Sequence, residues 1–380
     1  DQGRIVAVGT ADGTNDFDGQ MLTFDGGILA RYLPDGTLTD LVQLNDISAV
    51  HQEATAVEVA PGSGNIYVSG AFFDSISLNG FGASAVPFSV FVLKLDDALT
   101  CQWLSYGGGN GNTYGSYPRG LAIDAAENSY ITGNASGDVV SFGPHSFIGN
   151  SEFDDEVFVV KYGTGGTPQW LKRGGSIRND EALDIIADAQ GNTVITGFLG
   201  GNITFADFDG IQVDIVSQSS HCFIARYDAN GQITYAERMG GGSDDVGSGL
   251  ALANDSTFFL TGTTWGSTPW LNWNYVSCCL DPNLFVAKIH DTFNDLSTAV
   301  VGSAVGRIGV YPNPCMDELF IAGGAVKSGH VLVLDATGRV VIHLSMPMRG
   351  SIDVSALPAG SYSVQVSSAS DRRAARFVKQ

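Results

Sequence analysis

The sequence predicts an all-β chain: a five-bladed β-propeller followed by a small immunoglobulin-like β-sandwich. Two recurring markers and one pattern predict it. A short apolar strand ends in glycine five times, at Ile5–Gly9, Ile66–Gly70, Tyr130–Gly133, Val194–Gly197 and Phe259–Gly262, with steps of 61, 63, 64 and 65 residues between those glycines. An apolar run holding one basic residue keeps step: Ile28–Tyr32 with Arg31, Val90–Leu95 with Lys94, Val157–Tyr162 with Lys161, Cys222–Tyr227 with Arg226 and Leu284–Ile289 with Lys288. Both runs are apolar at consecutive positions, as suits strands covered on both faces. A unit of this kind cannot bury its own apolar face, so neighbouring copies must stack. A two-sheet sandwich would leave one face wet and alternate, whereas stacked blades need not.

One period shows the elements in order. Ala182–Asp188 reads as an inner strand, Gln190-Gly191-Asn192 as a turn and Thr193–Gly197 as the second strand. A variable insertion follows through Phe205 and Val213, then the third and fourth strands at Cys222–Tyr227 and Ile233–Arg238. The inner strand is visible only four times, near Glu53, Gly120, Asp184 and Gly249, because the first unit opens directly at Ile5. An uncovered strand edge invites pairing. Its cover is expected from the apolar stretches Leu296–Val301 and Val305–Val310, or from a second copy of the chain, which would build an assembly. The residues Asp180, Ala182, Asp188, Gly191-Asn192, Thr196-Gly197, Phe158–Tyr162, Trp170 and Gly174-Gly175 resemble the SBBP family of bacterial β-propeller repeats over roughly residues 3–300. That resemblance implies the fold and leaves the function open.

Near residue 304 the period stops, which divides the chain into a propeller at 1–303 and a second domain at 304–380. Seven short apolar runs with turn signals, from Val310 to Val378, read as a β-sandwich. Tyr311-Pro312-Asn313-Pro314, Asp335 followed by Gly338-Arg339, Leu357-Pro358-Ala359-Gly360-Ser361-Tyr362 and the terminal Phe377-Val378-Lys379 resemble the C-terminal sorting domain of the type IX secretion system, with Cys315-Met316 a mild departure. The resemblance implies the type IX secretion machinery as a partner, export across a Gram-negative outer membrane, and surface attachment or release.

Bulk composition limits the partners. The 380 residues carry a net charge of -21, so nucleic acid and anionic membrane surfaces are not expected partners. No stretch approaches the roughly 20 apolar residues of a spanning helix, and the chain opens polar at Asp1-Gln2-Gly3, as a mature or trimmed product would. The five cysteines form no CxxC pair. A disulfide from Cys222 to the Cys278–Cys279 pair and buried free thiols are both open.

Several constellations are candidates for chemistry. Acidic residues precede the inner strands (Glu53, Asp180, Glu181, Asp184, Asp244, Asp245), where they would either ring a channel mouth and bind Ca²⁺ or cap turns. Asp16, Asp18, Asp207 and Asp209 lie in two Asp-Phe-Asp-Gly copies, which read as calcium-loop fragments or as hairpin turns. The basic residue of each third strand is expected in a structural ion pair or as a snorkelling stem at the blade rim, since a ligand site rarely needs five copies. Trp265, Trp270, Trp273 and Tyr275 crowd the fifth insertion and offer a platform for surface glycans or a protein partner, or a packing contact. Ser75 and Ser256 follow aspartate in a pattern that type IX-exporting bacteria commonly O-glycosylate, and both are expected in loops. No nucleophile elbow, zinc-protease motif or phosphate loop occurs. The expected role is therefore non-catalytic: scaffold, adhesin or self-assembling surface component, with a glycan- or protein-binding module and a glycan hydrolase as alternatives.

Overall fold

The computed structural model describes residues 3–45, 52–110, 115–149, 154–201, 205–215, 218–240, 243–254, 257–265, 268–270, 273–275, 283–290, 306–307, 309–322, 330–335, 340–345, 351–367 and 372–380. Strands form where the apolar runs sit, and no helix occurs among these residues. The chain divides into two units, residues 1–295 and 296–380.

In the first unit, period one supplies β1 (Ile5–Ala11), β2 (Thr14–Phe17), β3 (Gln20–Thr23), β4 (Gly26–Tyr32) and β5 (Leu38–Gln43). Period two supplies β6 (Gln52–Val59), β7 (Ile66–Leu78), β8 (Phe81–Leu95) and β9 (Cys101–Gly109). Period three supplies β10 (Ser116–Ile123), β11 (Ser129–Ser136), β12 (Val139–Phe142), β13 (His145–Ile148), β14 (Asp155–Tyr162) and β15 (Pro168–Gly175). Period four supplies β16 (Glu181–Ala187), β17 (Thr193–Leu199), β18 (Phe205–Phe208), β19 (Ile211–Asp214), β20 (His221–Tyr227) and β21 (Ile233–Met239). Period five supplies β22 (Asp245–Asn254), β23 (Thr257–Thr264), β24 (Thr268–Trp270), β25 (Trp273–Tyr275) and β26 (Asn283–His290).

Five antiparallel meanders result, in the orders β1-β4-β5, β6-β7-β8-β9, β10-β11-β14-β15, β16-β17-β20-β21 and β22-β23-β26. Each apolar core lies between consecutive sheets. Leu29 packs with Val68, Phe91 and Leu93; Val90 and Val92 with Ile131, Phe158 and Val160; Val157 and Val159 with Ile195, Phe223 and Ala225; Ile224 and Met239 with Phe258 and Leu260. Strands β11 and β20 are buried along their whole length on both faces, their polar residues included.

The recurring strand-two glycine has a steric cause. A Cβ on Gly70, Gly133, Gly197 or Gly262 would sit 1.9–2.0 Å from a carbonyl oxygen of the inner strand, that of Glu53, Tyr117, Glu181 or Val246 respectively. Each inner strand bulges just beyond that carbonyl, skipping Thr55, Arg119, Leu183 or Ser248 in the register. Gly9 has nothing within 4 Å of the same position.

The inserted hairpins complete the sheet before them. β12 pairs with β9, setting Phe142 opposite Gly107, and β18 pairs with β15, setting Phe208 opposite Gly174. A side chain on either glycine would collide with the ring, at 2.4 Å on Gly107 and 2.3 Å on Gly174. The glycine runs after Trp103 and Trp170 are thus seats for the aromatic residue of the next period.

Outer turns are clasped as well. The indole N–H of Trp103 donates to Thr164 O and that of Trp170 to Ala229 O. The third-strand basic residues act in the same direction: Arg31 pairs with Asp97 (3.1 Å), Lys94 with Glu127 (2.8 Å), and Lys161 donates to Ala229 O (3.1 Å). At these three positions the expected structural contact is present, each reaching the following sheet.

The second unit holds two sheets around one core. β27 (Gly306–Arg307), β34 (Arg372–Lys379), β33 (Gly360–Ser367), β30 (His330–Leu334) and β31 (Val340–Ser345) form one sheet, and β28 (Gly309–Tyr311), β29 (Glu318–Ala322) and β32 (Ser351–Asp353) the other. Leu319, Val331, Val333, Ile352, Val364, Val366 and Phe377 fill the space between them.

Candidate functional site

The starts of the inner strands and of the third strands come together at one end of the sheets, beside the ends of the second strands. This end gathers the most chemistry. Phe73, on β7, is 38% exposed and lies 5.3 Å from Phe88 on β8, centroid to centroid. Phe88 lies 5.5 Å from Tyr117 on β10, and the Arg119 guanidinium stands 6.0 Å from the Tyr117 ring. Gly115 lets the chain approach Phe88, since a Cβ there would fall 2.4 Å from the Phe88 Cβ, and its φ of +70° suits glycine. Arg119 is the residue skipped by the β10 bulge, which aims it outward to Glu181 of the next sheet at 3.3 Å.

Acceptors flank this row. Asn134 stands opposite Tyr117 in the β10–β11 register and is 3% exposed. Asp155 lies diagonally across from Asn134 on β14. The Oδ1 atoms of Asn134 and Asp155 are buried, and the Asn134 side chain hydrogen-bonds the Asp155 carboxyl. Burial raises the Asp155 carboxyl above the usual carboxylate range, against the opposing pull of the Asn134 amide and the Arg119 guanidinium. Burial likewise raises Glu181, with Arg119 opposing, and raises the Tyr117 hydroxyl, to which the Glu53 carboxylate adds.

The acidic residues singled out in the sequence divide between this end and structural work. Asp180 accepts from Gly200 N (2.7 Å) and from both the backbone N–H and the hydroxyl of Ser176, closing the turn into β16, and burial raises its carboxyl to about 7. Asp244 accepts from Ser220 N at 2.8 Å, and Asp245 from the Thr264 hydroxyl. Asp184 accepts from Leu250 N of the next sheet at 2.6 Å. Desolvation raises the Asp184 carboxyl, and it raises that of Glu58 on β6, to which the Asp184 charge adds.

The two Asp-Phe-Asp-Gly segments are two-residue hairpin turns. Asp18 and Gly19 in one, and Asp209 and Gly210 in the other, all have positive φ, as such turns require. Asp16 accepts from Gly19 N at 2.7 Å and Asp207 from Gly210 N at 3.0 Å, while Asp209 pairs with Lys172 at 2.9 Å. Among the described residues no three acidic, histidine or cysteine side chains gather as a metal cluster.

Trp265 is 41% exposed after β23. Trp270 ends β24 and Trp273 begins β25, the two being paired in register, with Tyr275 opposite Thr268. Trp270 therefore holds the register position of Phe17, Phe142 and Phe208, the last residue before each hairpin turn. Ser75 is not in a loop, as the sequence had led us to expect. It lies half-buried in β7 opposite Ser84, because the second insertion continues as one long hairpin. Ser256, Cys278 and Cys279 lie outside the described residues, as do Leu296–Val301 and Val305. Cys222 is a free, fully buried thiol, pushed up to about 12 by burial, so of the two alternatives open for it the free thiol is the one present.

The Phe73–Arg119 row escaped the sequence reading, although signals were there. A Phe72-Phe73 doublet follows the second periodic glycine, and Tyr117-Pro118-Arg119 stands where period four has Glu181-Ala182-Leu183.

In the second unit the sequence motifs meet. Tyr362 donates its hydroxyl to Pro358 O at 2.9 Å, forming a corner, and its ring stacks on Phe377 at 5.6 Å. Asn313 accepts from Val378 N (2.9 Å) and Cys315 N donates to Val378 O, tying the opening motif to the terminal one.

Residues 309–380 match the secretion system C-terminal sorting domain. Such a domain engages the type IX secretion machinery and marks a protein exported to the cell surface or the extracellular space. No curated protein matches the sequence. Solved structures similar to the chain include the extracellular domain of the putative hybrid two-component system BT3049 from B. thetaiotaomicron, at 11% identity and a TM-score of 0.21, over 98% of this chain and 55% of that one. The extracellular domain of the putative one-component system BT4673 from B. thetaiotaomicron is similar at 9% identity and a TM-score of 0.15, over 95% of this chain and 73% of that one. This chain thus spans about half the length of the first, and likenesses so slight carry no argument. No helix among the described residues is long and apolar enough to cross a membrane.

Proposed function

We propose that residues 1–303 are a five-bladed β-propeller, carried out of the cell by the sorting domain, that works without catalysis as an adhesin or scaffold. Five consecutive meanders, each burying its neighbour, support the reading. One observation carries it. Val90, Val92 and Lys94, and likewise Val157, Val159 and Lys161, face the following sheet and are covered by it. The matching row of the fifth sheet is bare, with Leu284 87% and Val286 72% exposed. An interface made between earlier sheets is thus offered once more. The first sheet, with Ile5 52% exposed and open space at Gly9, is its natural complement. Closure within one chain gives a ring; the same contact between copies gives a filament.

Negative-stain images of the full chain test this. Rings support closure and filaments support self-assembly, whereas open, curved single particles overturn the reading. O-glycosylation at Ser75 and calcium at the Asp16 and Asp207 turns are separable proposals, checked by intact mass and by chelation.

A glycan hydrolase, the lesser alternative, needs two carboxyls in one site, and Glu58 and Asp184 are the pair to test. Turnover of chromogenic glycosides by the wild type, abolished in Glu58→Gln, would establish it.

A further inference from the structure

Strand β1 has a free edge where its counterparts have none. An inner strand pairs with β7, β11, β17 and β23, whereas β1 has β4 on one side and, among the described residues, no strand on the other. Gly9 makes that edge specific. At Gly70, Gly133, Gly197 and Gly262 a carbonyl of the bulged inner strand lies 1.9–2.0 Å from where a Cβ would stand, and Gly9 holds the same place with nothing within 4 Å. Glycine weakens a strand interior and marks sites where another backbone approaches closely. Gly9 thus fits an inner strand that the first sheet does not itself hold. The neighbouring sheet borders the same gap. Inner strands pack on one another: Ala56 of β6 shares a core with Leu121 of β10, and Ala122 of β10 with Ile185 of β16. Val57 of β6 packs toward the first sheet, where among the described residues no inner strand lies over it, and Val59 on the same face is 37% exposed.

The four inner strands show what fits. Opposite the glycine stands Ala54, Pro118, Ala182 or Gly247, and the next residue bulges out of register. Ala56, Gly120, Asp184 or Gly249 follows, and then Val57, Leu121, Ile185 or Leu250. The pattern is a short residue, a bulged residue, a second short residue and an aliphatic one. Among its described residues the chain has no such strand to spare. Each inner strand is already paired, and the stretch from Val305 that the sequence offered as cover is engaged in the second unit, through Gly306–Arg307 on β34 and Gly309–Tyr311 on β29. We infer that β1 accepts a strand of this pattern donated by a separate polypeptide. The donated strand pairs along Ile5–Ala11, seats the carbonyl before its bulge against Gly9 and covers Val59. The contact continues, across two chains, a pairing that this chain makes four times within itself.

The probe is a synthetic peptide with the sequence of residues 181–188, set against a scrambled peptide of the same composition and titrated onto the full chain. Saturable binding to the wild type is expected, weakened at least about tenfold in Gly9→Ala, a loss of about 1.4 kcal/mol, because the added Cβ stands where the carbonyl must come. Gly9→Ala itself should keep the wild-type melting temperature, since nothing in the described structure lies against Gly9. Hydrogen exchange on the wild-type protein should show peptide-dependent protection at residues 5–11, a readout that needs no variant. Absence of binding, equal binding of the scrambled peptide, or undiminished binding to Gly9→Ala overturns the assignment. So does protection at residues 5–11 that is already complete without peptide, which gives the edge to a segment of the same chain, or that rises with protein concentration alone, which gives it to a second copy.

Discussion

Trp103 donates its indole N–H to the carbonyl of Thr164, 2.9 Å away and one sheet further along the chain. The turn that offers this carbonyl contains Gly166, whose Cβ would lie 2.6 Å from the indole ring. Trp170 repeats the arrangement with Ala229 and Gly231. A large ring, a hydrogen bond and a glycine thus form one clasp, used twice.

The clasp separates ring from hydrogen bond. Trp170→Phe keeps most of the apolar contact and loses the bond to Ala229, so it should cost about 0.5–1.5 kcal/mol. Trp170→Ala should cost about 3–5 kcal/mol, as truncation of a buried aromatic does. Denaturant midpoints of both variants decide, and equal losses would assign the whole effect to the N–H.

The strand-two glycines differ in what a methyl group would meet. Gly133→Ala drives a Cβ to within 2.0 Å of Tyr117 O, so the inner strand must shift, and overpacking of this kind costs about 1–3 kcal/mol or more. Gly9→Ala meets open space in the described structure and should stay within about 0.5 kcal/mol of wild type. A large loss at Gly9 in dilute solution would reveal a strand lying against it, as ring closure or contact between copies requires.

Glu127 gives the stack an acid limit. Burial opposes its ionisation, but donors from Lys94, Ser63, Asn65 and Tyr67 outweigh it and hold the carboxyl down at about 2. With the folded value below the unfolded one, near about 4.3, the contact contributes fully above the unfolded value and is lost as pH falls through the folded one. Solvent screening at this partly exposed pair keeps the contribution to roughly 1 kcal/mol or less. Glu127→Gln should therefore lower the melting temperature at neutral pH and flatten its decline between about pH 5 and pH 2. Parallel curves for the two proteins would refute the assignment.

The repeat was legible in the sequence because its causes are local and periodic. Two-faced burial writes itself as unbroken apolar runs, and the bulge of the inner strand forces a glycine at a fixed place. The corner at Tyr362 and the Asn313 ties were readable for a similar reason, since each motif residue makes a specific contact. The row from Phe73 to Arg119 was hard to see because its members come from three strands of two periods, up to 46 residues apart. Trp270 misled in the other direction: an aromatic cluster in sequence draws the eye, while only register shows that a hairpin position of the same kind recurs as Phe17, Phe142 and Phe208. The two Asp-Phe-Asp-Gly segments carried both meanings at once, and the positive φ of their last two residues separates a turn from a loop.

The seating of Phe142 on Gly107, and of Phe208 on Gly174, bears on how such a chain can lengthen over time. Two copies are not finished by their own residues: the last strand of the second takes a ring from the third, and the last strand of the third takes one from the fourth. A break inside a period would part ring from seat on both sides. Duplication of a whole period preserves every pairing, because donor and acceptor features are alike in neighbouring copies. The architecture therefore admits growth by whole modules and penalises partial ones, which accounts for spacing held within 61–65 residues while the insertion sequences diverge freely.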